Sequence, residues 1–206
     1  QHYAFVVNAF VSLLKRADMT RYELFLRETR TYEIIEDVKN FRSEIGVLFL
    51  NSYNRDVLTK MFDDNRLTYT SLFKARPHIF VSKSNPLAKH EVVSLEDLEE
   101  FPYLSYDQGI HNSFYYSEEI LSQIPHKKSI VVSDRATLFN LLIGLDGYTI
   151  ATGILNSNLN GDNIVSIPLD IDDEIDIVYL KHEKATLSKM GEKFLDNLVK
   201  EVTFDN

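Results

Sequence analysis

Residues 73–109, FKARPHIFVSKSNPLAKHEVVSLEDLEEFPYLSYDQG, contain the pattern that decides the fold. The apolar run at residues 78–82 predicts a strand, and a turn follows at Pro86. Ser94 is a good N-cap for a short helix, because its hydroxyl can accept a hydrogen bond from a free amide of the first turn. Residues 102–105 then predict a second strand. We therefore expect a strand, a turn, a short helix and a strand in close succession.

Apolar residues in the rest of the chain follow helical and strand periods in alternation. The periods predict helices over residues 1–15, 31–40, 54–61, 114–122, 134–143 and 186–202, and strands over residues 22–28, 45–50, 67–72, 128–132, 148–151, 164–167 and 175–181. Strands that alternate with helices at short spacing indicate parallel sheets covered by helices. Because the pattern occurs before and after residue 80, we expect an α/β protein with two lobes.

Single residues predict where several of the helices begin or end. Thr31 and Thr186 are the expected N-caps of the second helix and the last helix. Gly144 or Gly147 is expected to end the helix over residues 134–143, because glycine favours the backbone conformation found after helices.

Composition excludes several classes of protein. The 206 residues include 44% hydrophobic and 12% aromatic residues, which indicates a packed core rather than a disordered chain. The absence of cysteine excludes disulfides and thiolate metal sites. A net charge of −9 opposes nucleic-acid binding by these residues alone, since phosphate contacts need clustered Lys and Arg. No apolar run is long enough to span a membrane, so we expect no membrane partner.

Three motifs in order carry a resemblance to a known family. In chain order they are RSEIGVLF at residues 42–49, NPLA at 85–88 with LEDL at 95–98, and VSDRATLFNLLIGLDGYTIAT at 132–152. Together they resemble the effector-binding module of the LysR-type transcriptional regulators. The resemblance implies two Rossmann-like lobes joined by two crossing strands, similar to type 2 periplasmic binding proteins. The lobes would be residues 1–79 with 180–206, and residues 80–179. In the family a strand precedes the first helix, so the first strand of lobe one is expected to be missing from this sequence.

Small polar residues follow several predicted strands at their carboxyl ends, which is where ligands bind in open α/β sheets. With the residues that open the chain, they form an expected binding cleft of Gln1, His2, Asn51, Tyr106, Gln108, Ser133 and Thr152. Their amide and hydroxyl groups, with the free amides at helix N-termini, predict a small anionic or zwitterionic ligand held by neutral donors. Arg135 is the one arginine in these loops and could clamp a carboxylate.

Signatures of catalysis and of cofactors are absent from the sequence. It contains no glycine-rich phosphate loop, no GxSxG and no HExxH motif, so we expect no cofactor and no catalytic residues. The six histidines lack the i,i+4 spacing of a zinc site, and residues 170–176 lack the glycine of a calcium loop, so no metal is expected.

The resemblance implies a cytoplasmic transcription factor whose small-molecule effector shifts the population of lobe arrangements. DNA would be contacted only through an N-terminal helix-turn-helix outside this sequence. The resemblance also implies a homodimer, possible as part of a tetramer, formed through residues 5–14 and 114–122. A periplasmic-type solute-binding protein is the main alternative, and an enzyme of the same architecture is the third.

Overall fold

The structure, a computed structural model, describes residues 1–16, 20–155 and 162–203. Its helices and strands, in chain order, are α1 (Ala4–Arg16), α2 (Thr31–Lys39), β1 (Gly46–Leu50), α3 (Arg55–Asp64), β2 (Leu67–Ala75), β3 (His78–Ser82), β4 (Tyr103–Tyr106), β5 (Ser129–Val132), α4 (Arg135–Leu145), β6 (Tyr148–Ala151), β7 (Ile164–Pro168), β8 (Ile175–His182) and α5 (Lys189–Thr203). Short 3₁₀ turns lie at Pro86–Lys89, Glu96–Leu98 and Phe114–Tyr116.

The strands form two sheets, one in each lobe. The first sheet has the order β1-β8-β2 and the second has the order β5-β4-β6-β3-β7. In the first sheet β8 is antiparallel to both neighbours, so the expectation of a parallel sheet is wrong there. In the second sheet β4 is parallel to β5 and β6, whereas β3 is antiparallel to β6 and β7. The antiparallel pairs involve β8 in the first sheet and β3 in the second.

Apolar side chains form one core that runs between the two lobes. Phe49 and Ile177 of the first sheet belong to the same buried cluster as Ile79 and Ile150 of the second sheet. Helices α2 and α3 cover the first sheet, with Ile35 among the residues that are fully buried there. Helix α4 covers the second sheet through Leu138 and Leu142.

Asn85 fixes the turn that follows β3. Its Oδ1 accepts from the amide of Leu87 at 2.8 Å, and its Nδ2 donates to the carbonyl of Asp146 at 2.7 Å. Asp146 lies in the left-handed region with φ of 50° and forms the C-cap of α4. The expectation that Gly144 or Gly147 ends this helix is therefore wrong, since an aspartate, which tolerates that conformation, takes the position.

Capping residues differ in part from the expectation. The Oγ of Ser94 accepts from the amide of Asp97 at 3.3 Å, as expected of a capping serine, although the 3₁₀ turn begins at Glu96 and its N-cap position is Leu95. Thr31 is the first residue of α2 rather than its cap. The last helix begins after Ser188, whose Oγ accepts from the amide of Gly191 at 3.0 Å, so the Thr186 cap is wrong. Serine and threonine hydroxyls can both cap a helix, and here the cap is Ser188, directly before the first helical residue.

Residues 22–28 are irregular chain, although their alternating pattern predicts a strand. A strand needs a hydrogen-bonding neighbour, and β1, the nearest edge strand, pairs only with β8 in the described part of the chain. A cavity of about 580 Å³ separates the two, bordered by residues 23–27, by Gly46 and Val47, and by α1 and α5. Phe25 is consequently 82% exposed.

Residues 114–122 form a 3₁₀ turn and further turns instead of the expected helix. Leu121 has φ of 60°, a left-handed conformation that an α-helix cannot contain. Ser113 makes no capping hydrogen bond. The two glutamates that follow the 3₁₀ turn are instead drawn into the protein, as described below.

The expected boundaries of the lobes can be compared with the sheet to which each strand belongs. The expected boundaries at residues 79 and 179 fall inside β3 and β8, and each of these strands belongs to a single sheet throughout. We propose that the chain crosses between the lobes before His78 and again before Ile175.

Over the described ranges, no helix has the length and apolar character needed to cross a bilayer.

Replacing Asn85 by alanine should lower the free energy of unfolding by about 2–4 kcal/mol, because two backbone groups at a 1% exposed site lose their partner. Urea denaturation measures this loss. Asn40→Ala is the matched control, since the Asn40 amide makes exposed hydrogen bonds at the end of α2, and it should change stability by less than about 0.5 kcal/mol. Equal losses in the two variants would contradict this role of Asn85.

Candidate ligand-binding site

A cavity of about 60 Å³ lies between the two lobes. Phe49 of β1 and Ile175 of β8 border it from the first sheet, and Phe80 and Ile150 border it from the second. The start of α1, the end of β4, residues 118–120 and the first turns of α4 complete the lining. A ligand in this cavity would therefore contact both lobes at once.

His2 is held at the edge of the cavity by a ring stack and a carboxylate. Its imidazole stacks on the ring of Tyr106 with the centroids 4.1 Å apart and the planes 11° apart. Its Nδ1 lies 2.9 Å from Oε2 of Glu118, and its backbone amide donates to the same oxygen at 2.8 Å. These contacts connect the segment before α1 to the second lobe.

Glu118 is a buried carboxylate whose oxygens are fully engaged. In addition to the His2 contacts, its Oε1 accepts from Nε2 of Gln108 at 3.2 Å. The Oε1 of Gln108 accepts in turn from the backbone amide of Thr31 at 3.2 Å, at the start of α2. Burial opposes ionisation of Glu118, but the hydrogen bonds from His2 and nearby positive charge, chiefly the N-terminal ammonium group, outweigh it, so the pKa of Glu118 lies below its ordinary value.

Glu119 is buried beside Glu118, and only one of its two carboxyl oxygens has a hydrogen-bond partner in the described structure. Glu119 is 3% exposed, and its Oε1 accepts from the amide of Tyr106 at 2.9 Å. Its Oε2 is buried and has no hydrogen-bond partner among the described residues. Burial, reinforced by the neighbouring charge of Glu118, raises the pKa of Glu119 well above its ordinary value.

Arg135 supplies the positive charge of the cavity. It is the first residue of α4, directly after the N-cap Asp134, whose Oδ1 accepts from the amide of Thr137 at 2.9 Å. One nitrogen of its guanidinium, Nη2, lies 3.3 Å from Oε1 of Glu28. The other, Nη1, is buried and lacks a partner in the described structure. The cavity thus combines one unpaired donor and one unpaired acceptor.

The structure brings some of the predicted site residues together and separates others. His2, Tyr106 and Thr152 border the cavity, and Gln108 lies behind it, holding Glu118.

The other predicted residues have local structural partners or face solvent. Nε2 of Gln1 donates to Oγ1 of Thr31 at 2.7 Å. The Oδ1 of Asn51 accepts from the amide of Asn54 at 3.1 Å, and its Nδ2 is occupied by Asp173. Ser133 is exposed and does not border the cavity.

Sequence reasoning missed Glu118 and Glu119 altogether. Residues 114–122 were expected to form a helix, and adjacent acidic residues on such a helix are ordinarily solvated. No pattern in the sequence distinguishes these two from the many exposed glutamates. The sequence analysis named Arg135 as a possible charged contact, but it left out the two carboxyl groups of the cavity.

The side chains around the cavity include both acidic and basic groups. Its polar lining consists of two carboxyl groups, a guanidinium, an imidazole and the hydroxyls of tyrosines and threonines. No Ser or Cys side chain borders it in the described ranges. The arrangement offers opposite charges to a small polar molecule.

A family sequence model and several solved structures match this chain. The sequence model of the LysR substrate binding domain matches residues 14–203 of the chain. The fold is similar to HinK, a LysR family transcriptional regulator from Pseudomonas aeruginosa, with 14% identity and a TM-score of 0.60. That alignment covers 98% of this chain and 66% of HinK, so the chain spans slightly less than two thirds of that regulator.

Two solved effector-binding domains are also similar. The BenM effector binding domain with its effector benzoate has 17% identity and a TM-score of 0.61, over 98% of this chain and 87% of that one. The effector binding domain of QuiR in complex with shikimate has 16% identity and a TM-score of 0.60, over 95% of this chain and 88% of that one. No curated protein sequence matches significantly. The expected two-lobed α/β fold, similar to type 2 periplasmic binding proteins, is confirmed.

The two glutamates should give opposite dependences of stability on pH. Since the folded pKa of Glu119 is raised, its contribution is complete below the unfolded pKa of about 4.3 and is lost as the pH rises through the folded value. Glu119→Gln should therefore gain stability relative to the wild type as the pH rises from about 4.3.

Glu118→Gln is the matched control. Because the folded pKa of Glu118 is lowered, its contribution is present above about pH 4.3 and is lost as the pH falls through the folded value. In urea titrations from about pH 4.5 to 8 this variant should lose stability relative to the wild type, whereas Glu119→Gln gains it. Parallel curves for both variants would contradict the assignment of the raised pKa to Glu119.

Proposed function

Because this chain belongs to the LysR substrate binding domain family, we propose that it is the effector-sensing domain of a LysR-type transcriptional regulator. It binds a small, anionic or amino-acid-like metabolite in the interlobe cavity. Binding controls DNA recognition by an N-terminal helix-turn-helix that lies outside residues 1–206. The observation that carries the proposal is the family match over residues 14–203 together with a cavity at the junction of the lobes that contains a few charged side chains.

The cavity supports a mechanism of population shift. Groups from both sheets border it, so a ligand gains different contact energies in different lobe arrangements and favours one of them. To move an equilibrium from 1:99 to 99:1, a ligand must bind the favoured arrangement about 10⁴-fold more tightly. Two similar domains support an effector role, since BenM was solved with its effector benzoate and QuiR with shikimate.

We also propose that the domain is cytoplasmic, uses no cofactor and turns over no substrate. It contacts no membrane. The charge of −9 supports a domain that does not bind DNA by itself, because it lacks the clustered cations that phosphate contacts require.

A homodimer is part of the proposal, and a tetramer of the full-length protein remains compatible with it. The surfaces expected to pair are α1 and residues 114–122. Helix α1 packs against α5, with the rings of Phe10 and Phe194 6.3 Å apart, which uses part of its apolar face. In the second surface Phe114 is 53% exposed, and Ile110 nearby is 92% exposed.

The cavity can be tested by filling it. Thr152 borders the cavity and is 7% exposed, so Thr152→Phe should occupy the space and abolish ligand binding. Calorimetry against sulfate, benzoate, shikimate and the common amino acids should find a micromolar ligand for the wild type, about −8 kcal/mol. Thr70→Phe, at an exposed strand position, is the control and should bind as the wild type does. A ligand that binds Thr152→Phe unchanged would place the site elsewhere.

Association should be visible by light scattering. At tens of micromolar the chain should give twice its mass of 23.9 kDa. Replacing Ile110 and Phe114 by serine should shift the mass toward that of one chain, because exposed apolar side chains contribute most to such contacts. Replacing Phe25 and Leu24 by serine controls for general loss of apolar surface, since both are exposed in another region. A wild-type mass of one chain would contradict the dimer.

A further inference from the structure

The cavity contains two buried polar atoms that the protein itself leaves unpaired. They are Oε2 of Glu119 and Nη1 of Arg135, each without a hydrogen-bond partner in the described part of the chain. Native proteins pair nearly all buried polar atoms, and a buried group without a partner costs free energy. Both residues border the same cavity. The protein therefore lacks one donor group and one acceptor group at this place.

We infer that the effector is a short-chain amino acid, whose ammonium group binds Glu119 and whose carboxylate binds Arg135. This inference rests on the proposed function and specifies its ligand class.

An ammonium group fits the acidic end of the cavity better than the alternatives. It has three donors and no acceptor, so it can satisfy the free Oε2 of Glu119 without leaving an acceptor unpaired. Glu118 cannot take this role, because His2 and Gln108 already occupy its oxygens. A calcium ion would need six to eight oxygen ligands, and no cluster that could hold a metal ion occurs among the described residues.

A carboxylate fits the other end. The guanidinium of Arg135 is a planar fork that matches the two oxygens of a carboxylate. Its Nη2 contact with Glu28 is long, at 3.3 Å, and both side chains are partly exposed, at 20% and 28%. A bound carboxylate can therefore use the buried Nη1 without displacing a strong ion pair.

The volume limits the size of the ligand. A water needs about 10–15 Å³ of such space, so a cavity of about 60 Å³ holds the equivalent of about four to six waters. That matches a molecule of about half a dozen heavy atoms, for the lobe arrangement described. The cavity lining also contains apolar side chains, with Leu138, Phe139 and Ile150 among them. This lining suits one to three methyl or methylene groups.

Protons are coupled to binding in this arrangement. Burial and Glu118 hold the pKa of Glu119 high, so an arriving ammonium group meets a protonated carboxyl and favours its ionised form. The charged or titratable groups around Glu119 are His2, Tyr3, Tyr103, Tyr106, Glu118 and Arg135. Burial raises the pKa of all three tyrosines, so they stay neutral near neutral pH. Binding of an amino acid thus releases a proton from Glu119 and tightens as the pH rises.

The test compares ligands that carry both charged groups with ligands that carry one. The wild type is titrated by calorimetry with glycine, alanine, β-alanine and γ-aminobutyrate, and in parallel with propionate and propylamine, from pH 5.5 to 7.5. At least one amino acid should bind about 10- to 100-fold more tightly than both single-charge ligands, as expected for an added hydrogen bond to a charged group. Its affinity should rise by up to about tenfold per pH unit.

Three variants assign the contacts. Glu119→Gln should weaken the amino acid by about tenfold or more and remove the dependence on pH, while leaving propionate unchanged. Arg135→Gln should weaken the amino acid and propionate together. Glu96→Gln, an exposed glutamate in the Glu96–Leu98 turn, is the control and should behave as the wild type. Urea denaturation of each variant confirms folding before titration.

The outcomes separate this inference from the proposed function. If no amino acid binds, or if Glu119→Gln binds it as tightly as the wild type, the inference is overturned. If benzoate, shikimate or another ligand without an ammonium group then binds and is lost in Thr152→Phe, the effector function stands. If an amino acid binds and Thr152→Phe has no effect on it, both the inference and the placement of the site fail.

Discussion

The first sheet depends on a strand that arrives from the other lobe. Strand β8 lies between β1 and β2 and supplies the inter-strand hydrogen bonds of both, so neither of these pairs with any other strand in the described structure. The chain must therefore complete the second lobe before the first sheet can close. The same crossing places Ile175, the first residue of β8, against the cavity. The position of the binding site thus follows from the path of the chain.

Side chains at the lobe junction add contacts of modest strength. Tyr32 stacks on His111 with the centroids 3.5 Å apart, and Tyr53 stacks on Tyr115 at 4.8 Å. Arg30 forms an ion pair with Asp107 that is partly exposed on both sides. Exposed ion pairs contribute about 0–1 kcal/mol, and aromatic pairs about 0.5–1.5 kcal/mol. Contacts of this size hold an arrangement without preventing a ligand from changing it.

The sequence predicted those elements whose pattern is local. The apolar run of β1, the turn at Asn85 and the cap at Ser94 depend on neighbours within a few residues, and each is found. The antiparallel order of the first sheet was missed because it depends on the return of β8, which is more than 120 residues from β1 in sequence. The two acidic residues of the candidate site were missed for the same reason. Glu118 and Glu119 become internal only when residues 114–122 turn inward against the start of α1, and no periodicity expresses that contact.

The irregular segment at residues 22–28 has a consequence for how the protein behaves at high concentration. Strand β1 has an unpaired edge in the described structure, and the apolar side chains beside it, Leu24 and Leu26, are more than a third exposed. An open strand edge next to exposed apolar surface is a template on which an extended peptide can add by backbone hydrogen bonds. Antiparallel pairing of two such edges would join two chains through backbone hydrogen bonds. This edge therefore provides a route to association that the net charge of −9 opposes.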